Sequence, residues 1–271
     1  MILWIASFPK SGNTWVRSLV SNYIYTNNDQ STLNKTELIK RFPLKQQFEG
    51  ICEFDKLKKE TEISKHWIAA QKKINFYQGL VFLKTHNICS SYKGNEFTDI
   101  NNTCGSIYVV RDPRSVALSY SYWLNKSVNE TIDEMLNPDI LALNEDDQTS
   151  EVRSSWKNNY LSWKNSPYPK LIIKYEDLHQ DTLASFKKIL NFINLFEKIE
   201  INESKIYDVI KKCSFKNLSK IEKNDGFTQN YSKTNFFRKG LTDEWKTELD
   251  KNLIKKIEEA FYKEMKELKY L

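Results

Sequence analysis

The stretch Ile2-Leu3-Trp4-Ile5-Ala6-Ser7-Phe8-Pro9-Lys10-Ser11-Gly12-Asn13-Thr14-Trp15 decides the fold. Its opening run, Ile2–Phe8, is almost continuously apolar, the mark of a strand covered on both faces of a parallel sheet. Pro9 and Gly12 then bracket a tight loop, and the pattern predicts a helix over Asn13–Tyr25. A strand that feeds a loop and then a helix offers backbone N–H groups and the positive end of a helix dipole to an anion. Lys10 adds full charge, Ser11, Asn13 and Thr14 add donors, and Trp15 is placed to stack on a purine. The same residues also suit an ordinary strand–turn–helix corner.

The chain has 271 residues and only 7 glycines. No two are spaced for G-x-G-x-x-G or G-x-x-x-x-G-K-[ST], which excludes a glycine-rich dinucleotide loop and a standard Walker A loop. Three further apolar runs read as strands: Leu80–Lys84, Ser106–Val110 and Leu171–Lys174. Asp112 and Pro113 supply an N-cap and a first-turn proline for a helix to about Asn125. Further helices are predicted over Glu151–Trp163 and Thr182–Phe196, and one C-terminal amphipathic helix presents Leu253, Ile254, Ile257, Phe261, Met265 and Leu268 on one face. Residues 26–50, 87–104, 126–150 and 216–236 read as less regular. The alternation predicts a single P-loop-like α/β domain over 1–271, with a central parallel sheet flanked by helices. Ligands of such sheets bind beyond the carboxyl ends of the strands.

Net charge is +6, with 41 basic and 35 acidic residues and no block of five like charges. That excess suits an anionic ligand or a mixed solvated surface and gives no nucleic-acid arm. Four cysteines without a C-x-x-C pair read as reduced thiols of a cytoplasmic protein, with no metal-ligand spacing. No segment approaches the ~18 apolar residues of a membrane span.

Three more motifs lie at predicted strand ends. Lys84-Thr85-His86 sets a cation beside a potential general base, since side chains two apart on a strand share a face. A structural histidine fits the same position. His66 reads as a helix-surface residue and His179 as a solvated turn. Arg111 ends the third strand with a planar fork suited to phosphate, and Ser119 lies two turns into the following helix; an Arg–Asp helix cap is the alternative. Arg238-Lys239-Gly240 lets two cations and a backbone N–H converge on one anion, or forms a plain basic loop.

Taken together, these residues resemble the cytosolic-type sulfotransferases that use 3′-phosphoadenosine 5′-phosphosulfate (PAPS). Pro9–Trp15 resembles the family's phosphosulfate loop, and Tyr108–Ser119 its 3′-phosphate motif. Lys84-Thr85-His86, Tyr175 in Tyr-Glu-Asp-Leu, Phe215 in Ser-Phe-Lys, and Arg238–Gly240 with the following Trp245-Lys246 match in family order. The resemblance implies sulfonate transfer to a hydroxyl or amine of a small-molecule or glycan acceptor, with no metal. His86 would be the base, Lys10, Lys84 and Ser119 would serve the sulfonate and leaving phosphate, and Ser119 would engage Lys10 before the acceptor arrives. Arg111, Ser119, Arg238, Lys239 and Gly240 would hold the 3′-phosphate, and Trp15 and Phe215 would enclose the adenine. Trp123 and Phe82 are the expected acceptor-pocket residues, with Tyr23 and Tyr122 as further candidates. Asn13 and Cys213 stand where the family usually has threonine, and the vertebrate dimer motif is absent after Lys246. A P-loop kinase using ATP and magnesium is the competing reading, against which stands the missing G-K-[ST].

Overall fold

A computed structural model of the chain describes residues 1–25, 32–53, 60–76, 79–144, 149–230 and 235–271. Four parallel strands form the central sheet in the order Val81–Thr85, Ile2–Ser7, Thr103–Val110, Lys170–Lys174. All six residues of Ile2–Ser7 are buried, as a strand with neighbours on both edges and layers on both faces must be. Alternate residues feed two cores. Trp4, Ala6, Tyr108 and Val110 pack with Trp67, Trp156, Trp163 and Phe261 on one face. Leu3, Ile5, Ile107 and Val109 pack with Val16, Leu19, Phe186 and Ile189 on the other.

The chain leaves Ile2–Ser7 for one neighbour, then crosses to the other. That reversal opens a crevice at the carboxyl end of the first strand. The helix Asn13–Ile24 begins there, and Asp112 caps Pro113–Leu124 by accepting from Arg114 N at 2.9 Å.

Two predicted elements differ, as do stretches read as irregular. The helix expected over Glu151–Trp163 is a strand, Thr149–Val152, and a helix, Trp156–Lys164. Ser154 takes φ 56° and Ser155 accepts from Asn158 N at 3.1 Å, so the chain turns and is recapped between them. The C-terminal helix is interrupted at Phe261, giving Lys251–Ala260 and Tyr262–Glu267. Within the stretches read as irregular, Val128–Leu136 and Phe215–Asp225 are helices, and Leu141–Asn144 pairs with Thr149–Val152. Residues 26–31, 145–148 and 231–234 of those stretches lie outside the described residues.

Candidate active site

The strand ends converge on a cavity of about 380 Å³. Pro9, Lys10, Gly12, Asn13, Thr14, Trp15, Lys84, His86, Arg111, Ser119, Trp123, Tyr175, Phe215, Arg238, Lys239 and Gly240 all line it. Sixteen positions drawn from seven separate segments thus meet in one space.

At the loop, Gly12 has φ 102° and is the N-cap of its helix without a side-chain cap; Trp15 N donates to Gly12 O at 3.0 Å, which leaves the Asn13 and Thr14 N–H groups at the helix start without a capping side chain. A Cβ on Gly12 would stand 2.6 Å from the Tyr175 ring, so glycine alone permits this approach. Asn13 serves the loop differently from expectation. Its side-chain amide turns inward and donates to Ile5 O at 3.0 Å and Ser7 Oγ at 3.3 Å, so it braces the strand end. Ser11 is buried outside the cavity lining, with its Oγ unpartnered.

Lys10 rests its ammonium over the Phe236 ring, 3.9 Å from the centroid, rather than on Ser119. Burial, then the Arg111 charge, lowers its pKa to about 7. An anion in the cavity offsets both effects. Arg111 donates to Lys10 O at 3.2 Å and Leu241 O at 2.9 Å, tying the loops around Lys10 and Gly240 together, and lies 4.3 Å over the Tyr175 ring. Its Nε is buried without a partner. Asp112 pairs instead with Arg114 at 2.7 Å, so the helix-cap alternative belongs to Arg114 and not to Arg111.

Arg238 forks onto Glu244, with Nη1 donating to Oε1 at 2.6 Å, and Lys239 reaches the same carboxylate at 2.7 Å. Glu244 thus gathers both cations. Buried Glu222 fixes their loop by accepting from Phe236 N at 2.6 Å and Phe237 N at 2.9 Å. A Cβ on Gly240 would meet the Phe215 ring at 2.4 Å, which seats that ring against the backbone. Trp15 donates to Cys213 O at 2.9 Å, so its indole holds the segment after Lys212 against the cavity wall.

His86 has one ring nitrogen committed. Nδ1 lies 2.7 Å from Ser7 O, and a carbonyl only accepts, so Nδ1 carries the proton and Nε2 keeps its lone pair. Burial, then nearby Lys84, holds the ring well below the ordinary histidine pKa, so it is a neutral base near pH 7. Asn159, which the sequence reading missed, donates to His86 O at 2.9 Å and accepts from Tyr108 OH at 2.9 Å. Lys84 lies 3.6 Å from Glu151, and burial brings its pKa to about 7.

Phe82 does not join the cavity. It shares the Lys84 face but lies about 7 Å deeper along the strand, in the core beneath the first helix. Tyr23 is likewise buried there and donates to Glu200 O at 2.8 Å, while Tyr122 is exposed beneath Arg238. His179 lies in the last turn of the short helix Tyr175–Gln180; it is exposed, yet its ring lies 6.4 Å from Trp15 and lines the cavity. Glu151, Arg153 and Arg41 also line the cavity and were not singled out, because only the long-range pairing of residues 40–42 and Thr149–Val152 brings them there.

A sulfotransferase-domain family profile matches residues 2–269. Flavonol 3-sulfotransferase of Flaveria bidentis is 28% identical over 274 residues, covering 94% of this chain and 79% of that protein. Luciferin sulfotransferase of Photinus pyralis is 28% identical over 270 residues, covering 94% and 69%. The crystal structure of mouse sulfotransferase SULT7A1 complexed with PAP superposes with a TM-score of 0.63 at 20% identity, covering 97% of this chain and 83% of that one.

Proposed function

The chain belongs to the sulfotransferase family, and on that footing we propose how its cavity transfers a sulfonate from PAPS to an acceptor hydroxyl. The co-substrate supplies the sulfonate and leaves as adenosine 3′,5′-bisphosphate (PAP). The residues present fit such a molecule: the cavity has cations at two loops, an open helix N-terminus, an unpartnered Arg111 Nε, and two glycines where a Cβ would strike an aromatic wall. Arg111, Ser119, Arg238, Lys239 and the Gly240 N–H would hold the 3′-phosphate. Trp15 and Phe215 would flank the adenine, with Tyr175 supporting both the loop and Arg111.

His86 Nε2 takes the acceptor's proton as the oxygen attacks sulfur. Lys10 stabilises charge developing on the bridging oxygen, and Lys84 orients the sulfonate oxygens. Positioning and charge carry the reaction, as in phosphoryl transfer. The tautomer fixed by Ser7 O is the observation that carries this reading, because it leaves an unprotonated nitrogen in a cation-lined cavity. Four free cysteines support a reducing, cytoplasmic setting, and among the described residues no helix is long and apolar enough to cross a membrane. The kinase alternative gives way to the family match. Thermal shift separates the two directly. PAP in a chelator-containing buffer raises the melting temperature, as ligand binding to the folded state requires. A shift with ATP and magnesium but none with PAP would refute the assignment.

A further inference from the structure

Beyond His86 the cavity wall is ionic rather than apolar. The Glu151 side chain is 1% exposed. Its Oε2 accepts from Arg153 Nε at 3.3 Å and Nη2 at 3.0 Å. Its Oε1 faces Lys84 Nζ at 3.6 Å and accepts no hydrogen bond. Arg153 Nη1 donates to Tyr120 OH at 3.0 Å, and Tyr120 stacks on Trp123 with centroids 5.9 Å apart at 21°. Sulfonate transfer uses His86 and Lys84 but leaves Glu151 and Arg153 without a task.

A buried carboxylate oxygen without a donor is unfavourable, and a ligand that brings a donor relieves it. An apolar acceptor would satisfy none of this network. An ammonium would face repulsion from Lys84 and Arg153 on either side of Glu151, whereas a hydroxyl donates without adding charge. The negative face of the Trp123 indole suits the C–H edge of a saturated ring.

We propose that the acceptor is a polyhydroxylated, sugar-like alcohol, one hydroxyl reacting at His86 while a neighbouring hydroxyl donates to Glu151 Oε1 against the Trp123 face. This rests on the sulfotransferase reading of the same cavity. In the step, the reacting O–H gives its proton to His86 Nε2 and its oxygen bonds to sulfur. The bond from sulfur to the phosphate oxygen breaks, and its electron pair leaves with PAP.

The test supplies the full chain with PAPS and, separately, a pool of methyl glycopyranosides (gluco, galacto, manno), 2-naphthol, and 2-phenylethylamine, while PAP affinity is measured by calorimetry. At least one glycoside is expected to exceed the phenol and the amine in kcat/KM by about 100-fold or more, since a site built for hydroxyls rejects analogues that lack them. Glu151→Gln is expected to raise KM for that glycoside about tenfold or more while PAP affinity holds, since PAP lacks the sulfonate that Lys84 serves. Turnover of 2-naphthol or the amine equal to the best glycoside overturns the proposal, as does a KM that Glu151→Gln leaves unmoved. No sulfated glycoside from a chain that binds PAP also overturns it and leaves the sulfotransferase reading standing. A chain that binds no PAP overturns both.

Discussion

Gly240→Ala tests whether the phosphate loop and the aromatic wall are one device. Gly240 has φ 68°, where an L-residue is disfavoured by about 1–2 kcal/mol. Its new Cβ would stand 2.4, 2.6 and 2.7 Å from three carbons of the Phe215 ring. Carbon contacts settle near 3.5–4.0 Å, so ring or loop must retreat by about 1 Å. Phe215 cannot retreat freely, because it packs edge-on to Phe237 at 5.9 Å within a small core that includes Leu218 and Phe227. Overpacking of this kind costs about 1–3 kcal/mol. The combined penalty is about 2–5 kcal/mol, and if it falls on the bound geometry, PAP affinity drops by about 30-fold to a few thousand-fold. Gly226→Ala is the control. It shares a positive φ of 75°, but a Cβ there has no neighbour within 4 Å, so it carries the backbone penalty alone. Calorimetric titration of PAP, with melting curves of both unliganded variants, reads the difference. An affinity for Gly240→Ala within about twofold of the parent would refute the coupling of loop and wall.

Other consequences follow from charge. Lys10 and Lys84 both sit near a pKa of about 7, and on the proposed mechanism their cationic forms serve the sulfonate, so kcat/KM for PAPS should decline as pH rises through that region. Bound anion restores the ordinary lysine pKa, so PAP binding at about pH 8 takes up protons; titration in two buffers of different ionisation enthalpy detects this, and a zero proton count would contradict it. His86, held well below the usual histidine range, stays in its base form, so an acid limb near pH 6.5 would argue against its burial. Arg111→Ala removes a charged donor and the tether between Lys10 O and Leu241 O. Its PAP affinity should fall by about 1.5–3 kcal/mol, roughly 10- to 150-fold, and an unchanged value would remove Arg111 from the anion site.

The strand–loop–helix start was legible because its signals are local: an apolar run, a proline, a glycine and a lysine in order. The other strand ends could be placed for the same reason. What failed was whatever depended on a partner distant in sequence. Val152, Trp156 and Tyr160 are spaced as a helix face, yet Val152 belongs to a strand, because Thr149–Val152 pairs with Leu141–Asn144 and Val152 N donates to Asn87 Oδ1 at 2.7 Å. That pairing also delivers Glu151 and Arg153 to the cavity, which no local pattern announces. Phe82 reads as an acceptor wall by its aromatic type alone; depth along the strand separates core from cleft, and the sequence period carries no depth. Asn13 reads as a donor to ligand by type, but only the fold reveals that Ile5 O and Ser7 Oγ claim it first.

The most direct measurement is single-turnover formation of PAP by His86→Ala, with saturating PAPS and a pool of methyl glycosides, phenols and amines, beside PAP affinity of the same variant. Loss of the base should slow the step by about 10²–10⁴-fold, while PAP binds as in the parent because the nucleotide contacts lie at the other loops. A rate within about threefold of the parent, with PAP bound normally, would contradict the assignment of His86 as the base and the mechanism built on it.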